Sequence, residues 1–491
     1  MHRYIEYFIN SKGRDVMIIA LGRLNMQSLL TALVLSGLLV SCGGGGEGSA
    51  PPSATPSTAT PSYPLTVAST ARHVVDQSAK PFLLVGDTAW SLFVALSDSD
   101  ADVYLENRKQ HGFTAVLASL IEHNFAANPP ADFYGTTPFT GQSFTTPREA
   151  YFAHVDRVVK SAGEKGIVVF LVPLYLGYKC ESEGWCPEVH NATISDMRAW
   201  GEYVGNRFTN YDNIVWVIGG DADPTPVKSK VQAMVDGILS RDTRHPFTVH
   251  NEAGMMAVTP WSEASWLDIN STYTYDPAYQ QAVAAHSSIS PPKPFFLIES
   301  QYENMEGTTT QQLRAQSYWT VLSGGFGHFF GNCPLWGFGF TAHYCPSFTD
   351  WQAQLDSPGA LGMQHFQALF NSRHWATLVP DTSQSVLMAG IGTFGGRDYA
   401  SAACAADGSS IIAYLPSSRA ITVNGTCLTG STMIAWWYDP STGVATQIGT
   451  FPATTPQHFT PPTSGDWVLV VDSADASFPA PGSGLIVQKA K

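Results

Sequence analysis

Eight short apolar runs alternate with stretches of helical spacing, and that alternation constrains the fold of this chain more than any other feature. The runs are "PFLLVGD" (81–87), "GFTAVLASL" (112–120), "GIVVFLVPLY" (166–175), "NIVWVIGGD" (213–221), "PFTVHNE" (246–252), "WLDINSTY" (266–273), "PFFLIES" (294–300) and "GGFGHFFG" (324–331). Between them Met197, Trp200, Val204 and Phe208 recur at helical intervals, as do Val227, Val231, Met234 and Ile238. Thr146-Pro147 reads as a helix start, with Gly163 or Gly166 as its stop. Strands that are apolar along their whole length are buried on both faces, which in an alternating chain calls for a parallel sheet wrapped by helices. Eight of them predict an α/β fold, a (β/α)8 TIM barrel whose chemistry sits at the C-terminal ends of its strands.

After a last helical segment, "GALGMQHFQALFNSRHW" (359–375), the pattern changes to strands separated by turns: "SVLMAGIG", "SIIAYLP", "AITVNG", "TMIAWWYDPSTG" and "DWVLVVDS". That spacing predicts an all-β antiparallel sandwich, with the boundary near Val379 to Asp381. The expected division is a barrel domain over 64–378 and a sandwich domain over 379–491. Residues 43–63 are rich in Gly, Pro, Ser and Thr and read as a flexible to semi-extended linker.

Ahead of that linker, Lys12, Arg14 and Arg23 precede an apolar stretch from Leu29 to Val40, too short to span a bilayer and suited to a signal peptide over 1–42. Starts at Met17 or Met26 would give a more usual signal length. The stretch ends in Leu39-Val40-Ser41-Cys42, which resembles a bacterial lipobox, so the expectation is lipidation at Cys42. The chain is then an exported lipoprotein held at a membrane, at the outer membrane or the periplasmic face; an ordinary secretory signal with a chance Cys is the alternative. With Cys42 set aside, Cys180, Cys186, Cys333, Cys345, Cys404 and Cys427 remain, an even number that in an exported chain reads as disulfides. Closeness in sequence favours 180 with 186, 333 with 345 and 404 with 427, out of the 15 pairings that six cysteines allow. No CxxC or Cys/His cluster supports a metal, and no metal or organic cofactor is expected. Twenty-six basic against 40 acidic residues give a net charge of −14, which repels phosphate backbones and excludes nucleic acid as a partner.

The fourth run ends in two glycines and then Asp221, and the seventh ends in Glu299. Asp is disfavoured in strands, so Asp221 either caps the next helix or is presented to a ligand. In a barrel, carboxylates after the fourth and seventh strands face one another across the mouth. Paired carboxyl groups are the usual machinery of glycoside hydrolysis, one protonated and one ionised. Asp221 would be the general acid and then base, and Glu299 the nucleophile. Glu303, one helical turn beyond, is the nearest rival, with support of the site or substrate contact as its expected part. Sugars present flat apolar faces as well as hydroxyls, so aromatic and amide side chains near strand ends are further candidates for binding a carbohydrate. These are Asp87 and Trp90 in "GDTAW", Asn124, Tyr175, His250, Asn251, Tyr273, Tyr302, His328 and Trp336. Core packing is the alternative for the aromatics, and a buried structural carboxylate for Asp87. The chain has neither a G-x-S-x-G elbow nor an H-E-x-x-H motif, which leaves serine esterase and zinc protease chemistry without its central elements.

Taken in order, "PFLLVGDTAWSLF", "YLENRKQHGFTAV", "IVWVIGGD", "HPFTVHNE", "SWLD", "PFFLIESQYEN" and "SGGFGHFFGNCPLW" resemble the apiosidase-like glycoside hydrolases, family 140, over residues 64 to 375. "SRHWATLVPD" and "AWWYDPSTG" resemble the β-sandwich that follows this barrel in the family, labelled collagen-binding. The resemblance implies a retaining enzyme that removes sugars from plant-type, pectic polysaccharides, with Asp221 at the acid/base position and Glu299 at the nucleophile position. Two Cys-bearing loops, "KCESEGWCPEVHN" and "NCPLWGFGFTAHYC", depart from the family pattern and are expected at the rim of the site. The competing expectation is a non-catalytic surface lipoprotein that binds glycans or matrix. Collagen proteolysis, a third reading, rests only on the label of the C-terminal domain.

Overall fold

The computed structural model describes residues 61–305, 307–339 and 350–484. Each of the eight apolar runs contributes one parallel strand: β1 (Leu84–Thr88), β2 (Ala115–Ser119), β3 (Val168–Val172), β4 (Ile214–Gly219), β5 (Phe247–His250), β6 (Asn270–Tyr273), β7 (Phe295–Glu299) and β8 (Gly327–Phe330). They pair in the order β5-β4-β3-β2-β1-β8-β7-β6, a TIM barrel with its seam between β5 and β6. The seam has no regular ladder. It is bridged by the amide of Ile269 donating to the Phe247 carbonyl at 3.0 Å and the Ser271 hydroxyl donating to the Val249 carbonyl at 2.5 Å.

Long helices follow every strand but β5: α1 (Asp98–Gln110), α2 (Glu149–Glu164), α3 (Ile194–Phe208), α4 (Lys228–Leu239), α5 (Tyr279–Ser288), α6 (Thr310–Leu322) and α7 (Pro358–Asn371). After β5 the stretch "NEAGMMAVTPWSEASW" has no helical spacing, and Trp261 and Trp266 fill the helix's place, packed edge to face at 5.2 Å. α2 starts later than Thr146-Pro147 predicts, because the Thr146 hydroxyl is engaged in a turn, accepting from the Gly141 amide and donating to the Gln142 carbonyl, both at 2.9 Å. Its end falls at Glu164, just before Gly166 in the left-handed region, as that glycine predicts. α3 and α6 each begin with a complete capping box, Thr193 with Asp196 and Thr309 with Gln312, which satisfies amides that a helix start otherwise leaves open.

Uninterrupted burial of the strands has a simple cause. On β3, Val168, Phe170 and Val172 point into the barrel while Val169 and Leu171 point at the helices, so both faces are dry. Phe170, Phe296 and Phe329 plug the interior, with ring centroids 4.9 to 5.8 Å apart in edge-to-face packing.

The C-terminal part is an antiparallel sandwich of β9 (Leu378–Pro380), β10 (Leu387–Ala389), β11 (Ser401–Ala405), β12 (Ser410–Leu415), β13 (Ile421–Val423), β14 (Thr432–Tyr438), β15 (Ala445–Pro452), β16 (Gln457–Phe459) and β17 (Trp467–Ser473). The larger sheet runs β9-β11-β12-β17-β14-β15 and the smaller β10-β13-β16. β11 and β15 are not foreshadowed by the apolar runs: the first is "SAACA", without bulky side chains, and the second is an edge strand largely open to solvent. The larger sheet packs on the barrel. Ile412 and Tyr414 of β12 and Val468 and Val470 of β17 join the core beneath α6 and α7, while their neighbours Ile411, Ala413, Leu469 and Val471 fill the sandwich. Tyr318 of α6 stacks on Tyr414 at 4.8 Å and 3°.

Two ion pairs fasten this junction. Arg373 holds Asp472 through two bonds of 2.8 and 2.7 Å, and Arg314 holds Asp466 through two of 2.9 and 2.7 Å, with the Tyr414 hydroxyl on the same carboxylate. Removing one member of a buried pair leaves its partner charged and poorly solvated, so Asp466→Ala should lower stability by about 3 kcal/mol. Glu164→Gln, which breaks an exposed Lys160 pair, should cost nothing measurable. Urea midpoints compare the two; equal shifts would contradict this account of the junction.

Cys180 bonds to Cys186 and Cys404 to Cys427, as sequence proximity favours, and Cys333 is disulfide-bonded. Cys345 and Cys42 lie outside the described residues.

Candidate active site

The two glycines after β4 are there because of what surrounds them. Gly219 has φ +92° and a Cβ on it would sit 2.7 Å from the His250 carbonyl oxygen; Gly220 has φ +138° and a Cβ would sit 2.3 Å from the Tyr175 ring. No larger residue fits either position. The chain thereby crosses the end of β5, where the Gly220 amide donates to the His250 carbonyl and the Asp221 amide donates to His250 Nδ1, both at 2.8 Å. Asp221 itself takes φ +48°, a conformation that costs a residue with a Cβ on the order of 1 kcal/mol. It does not cap a helix. Asp223, two residues on, closes a local turn by accepting from the Thr225 amide at 2.9 Å.

Because His250 Nδ1 accepts, its proton resides on Nε2, which donates to Glu299 Oε2 at 3.0 Å. His250 is thus a fully buried link between the Asp221 backbone and the Glu299 side chain. The hydroxyls of Tyr273 and Tyr275 donate to Glu299 Oε1 at 3.2 and 2.9 Å. Burial, and then the Glu299 charge, push both phenols up, so each keeps the proton it donates. Three donors on two oxygens match the acceptor-only form of a carboxylate. Asp221 has the opposite environment: its Oδ1 has no partner among the described residues, and burial first and the Glu299 carboxylate second push its pKa up to about 8.

Asp221 and Glu299 line one cleft of about 640 Å³, within the usual range of small-molecule sites. All eight strand ends supply its wall: Trp90 after β1, Phe125 after β2, Tyr175, Tyr178 and Glu183 after β3, Asp221 after β4, Ala253 after β5, Tyr273 and Tyr275 at β6, Glu299, Gln301, Tyr302 and Met305 at β7, and Trp336 after β8. Trp90 is fixed by donating to the Tyr302 hydroxyl at 3.2 Å and by rings of Tyr175 and His250, each 5.4 Å away. Trp90, Tyr175, Tyr273, Tyr302 and Trp336, candidates from the sequence, therefore meet in one place.

Five other candidates do not reach the cleft. Asp87 is wholly buried beneath it, bonded to the Arg108 guanidinium at 3.0 Å and the Tyr104 hydroxyl at 2.7 Å; burial raises its pKa against the pull of Arg108. It is a structural carboxylate and not a sugar ligand. Glu303 turns to the start of α7, where it accepts from the Gly359 amide at 2.8 Å, Ser357 at 2.6 Å and Asn332 at 2.7 Å. There it complements the helix N-terminus and ties the loop after β7 in place, without touching the cleft. His328 is fully buried against Ser317, and burial pushes its pKa down to about 3. Asn124 is exposed outside the cleft lining, and Asn251 is buried with its amide on the Met256 carbonyl at 2.9 Å.

Seven cleft residues were not singled out from the sequence, and of these Glu183 and Tyr275 bear on the carboxylates. Glu183 comes from the loop stapled by Cys180–Cys186, accepts from the Tyr175 hydroxyl at 3.5 Å, and is pushed up in pKa by burial and by Glu299. The cysteines around it were its one visible signal. Tyr275 lies beyond the end of the sixth apolar run, two residues after Tyr273 and on the same side of the chain. Among the described residues no group of three or more His, Cys, Asp or Glu side chains is arranged to hold a metal ion.

A parallel barrel that brings two carboxylates with opposed environments into an aromatic cleft is the architecture of sugar-cleaving enzymes. Residues 68–377 match the apiosidase-like catalytic domain family, and residues 379–472 match one described as "Putative collagen-binding domain of a collagenase". With well over half its length in the first match, the chain belongs to the apiosidase-like family and is a glycoside hydrolase. A solved structure described as a glycoside hydrolase shares 22% identity and a TM-score of 0.75, covering 84% of this chain and 97% of that one. A family 5 glycoside hydrolase from Bacteroides vulgatus ATCC 8482 shares 22% identity and a TM-score of 0.76, covering 86% and 96%. At such identity the likeness is one of fold, and it takes in barrel and sandwich together. No curated protein matches the sequence.

Proposed function

We propose that the enzyme hydrolyses glycosidic bonds in pectic, plant-type oligosaccharides with net retention, using Glu299 as nucleophile and Asp221 as acid and then base. The opposed environments of these two carboxyls in one cleft carry the reading: Glu299 is surrounded by three donors, whereas Asp221 is held toward its protonated form. In the first step a Glu299 oxygen bonds to the anomeric carbon, the bond from that carbon to the leaving oxygen breaks, and the Asp221 proton passes to that oxygen. In the second step Asp221, now a carboxylate, takes a proton from water, the water oxygen bonds to the anomeric carbon, and Glu299 leaves as a carboxylate. Each step inverts the anomeric carbon, so the product keeps the substrate's configuration. His250, Tyr273 and Tyr275 orient the nucleophile. The rings of Trp90, Tyr175 and Trp336 offer faces on which a sugar stacks.

The likeness to the apiosidase-like family supports pectic oligosaccharides as the substrate class. The leader pattern ending at Cys42 supports an exported, lipid-anchored enzyme acting at the cell surface or in the periplasm. Incubation with a panel of pectic oligosaccharides, followed by product chromatography and by proton NMR of the fresh product, tests substrate and stereochemistry together. A released sugar whose first-formed anomer matches the substrate is expected. The inverted anomer would exclude the double displacement, and binding without new reducing ends would favour a surface-binding protein.

A further inference from the structure

The loop after β3, "YLGYKCESEGWC" (175–186), does more than supply part of the cleft wall. Its neck is closed by backbone: the Trp185 amide donates to the Tyr175 carbonyl at 2.8 Å and the Cys186 amide to the Leu176 carbonyl at 3.1 Å. A Cβ on Gly177 would sit 2.3 Å from the Gly184 nitrogen, so the two sides of the neck touch main chain to main chain. The Cys180–Cys186 disulfide then ties the tip of the loop to its base.

Within this closed loop Lys179 and Cys180 take φ of +54° and +61°, two successive left-handed residues of which neither is glycine. A Cβ disfavours that conformation, which persists where surrounding bonds hold it. Its consequence lies outside the loop: the Lys179 amide is turned toward the end of β4 and donates to the Asp221 carbonyl at 3.2 Å. The Lys179 side chain takes no part, its ammonium lying over the Tyr178 ring at 4.8 Å from the centroid. Asp221 is itself left-handed, at +48°, and its amide is already taken by His250. The peptide groups on both sides of its Cα are thus held, one from β5 and the other from the stapled loop, and this sets the direction in which the carboxyl leaves the backbone. Glu299 is held differently, by His250, Tyr273 and Tyr275, all outside the loop.

We propose that the Cys180–Cys186 loop is the positioning element of the general acid. With the disulfide closed, the Lys179 amide keeps the Asp221 carboxyl aimed at the leaving oxygen; with it open, the acid loses its aim while the nucleophile keeps its place. This inference rests on the acid role of Asp221 and adds what that role depends on.

The test compares the full chain with Cys180→Ser/Cys186→Ser and, as a control, with Cys404→Ser/Cys427→Ser in the sandwich. On an oligosaccharide that the wild type cleaves, opening the 180–186 loop should lower kcat/KM by about 10²-fold, the worth of a misplaced reacting group. First-step release of the alcohol from an aryl glycoside whose leaving group needs no proton should change little, and the sandwich control should match the wild type on both. The loss should not add to that of Asp221→Ala when the substitutions are combined, as for groups that act as a unit. Lys179→Pro, which has no amide proton and cannot take a positive φ, should give the same split between substrates with the disulfide closed.

Two further readouts separate aim from general damage. Around Asp221 the charges of Glu299, Glu183 and Glu252 raise its pKa, the Tyr273 hydroxyl lowers it, and the phenols of Tyr175 and Tyr302 stay neutral. Glu183 belongs to the loop, so opening it removes burial and a like charge together, and the alkaline limb near pH 8 should move to lower pH. Hydrogen exchange reads the hold without any substrate: the amides of Gly220 and Asp221 should exchange faster in both loop variants and at the wild-type rate in the sandwich control. Melting temperatures identify a loop variant that has not folded, in which case the other one decides. Unchanged exchange at Gly220 and Asp221, or equal losses on the two substrates, overturns the proposal. Faster exchange in a protein whose wild type releases no sugar upholds the loop's hold on Asp221, and only the catalytic reading then fails.

Discussion

Glu299→Gln should reduce kcat/KM for sugar release by about 10⁴-fold or more, as removal of a nucleophile does in other covalent mechanisms, while binding of the oligosaccharide changes little. The substitution keeps the size of the side chain and one carbonyl oxygen, so Tyr273 and Tyr275 retain an acceptor. It removes the oxygen that would bond to the anomeric carbon and sets an amide NH2 against the His250 Nε2–H, since the Asp221 amide holds His250 in that tautomer. Initial rates on a substrate that the wild type cleaves, together with titration calorimetry, separate the two effects. Activity within tenfold of wild type would remove Glu299 from the nucleophile's role.

Asp221→Ala is expected to lower kcat/KM by about 10²- to 10⁴-fold on substrates with a poor leaving group, the usual worth of a positioned acid. On an aryl glycoside whose leaving group needs no proton the first step should survive, and added azide should raise turnover by taking water's place in the second. The pH profile supplies an independent readout. Wild-type kcat/KM should fall as pH rises through about 8, where Asp221 gives up the proton it must donate. That alkaline limb should be missing from the residual activity of Asp221→Ala. An unchanged limb, or azide without effect, would assign the acid to another group.

The same carboxyl has a stability signature. Its folded pKa is raised above the ordinary 3.8, so between that value and about 8 the folded protein binds a proton that the unfolded chain releases. The group's contribution is therefore fully present below 3.8 and is lost as pH rises through about 8. Asp221→Asn, which carries no charge at any pH, should accordingly gain melting temperature relative to wild type at pH 9, and gain less at pH 5. A site that binds a sugar by crowding carboxylates stores some instability in doing so.

Much of the barrel was legible because its strands are dry on both faces and its helices on one, so chemistry along the chain repeats with the geometry. "VVFLV" can scarcely be anything but a doubly buried strand, and Met197, Trp200, Val204 and Phe208 mark the buried face of a helix by their spacing. β11 and β15 carried no such signal, one for lack of bulk and the other because an edge strand faces water. The helix-free link after β5 departs from the strict alternation that the sequence suggested, and which side chains cover that face was not legible either.

Within the site, Asp221 and Glu299 could be singled out because strand ends are positions that sequence can locate. Glu303 and Asp87 could not be told from sugar ligands, since their partners lie far along the chain. Gly359 and Ser357 hold Glu303 across more than fifty residues, and Arg108 claims Asp87 from the other end of α1. Glu183 faced the converse difficulty, a charged residue in a polar loop, brought into the cleft by a loop whose path no periodicity records.

What the amino-acid order determined alone was local: which stretches are strands and helices, where each ends, and which carboxylates stand at those ends. Only the tertiary structure decided which carboxylates share water-poor space and which are neutralised by a distant arginine or a helix start. Periodicity reports the faces of one element, whereas charge and burial at a site depend on sums over groups from many elements, and those sums exist only once the barrel has closed.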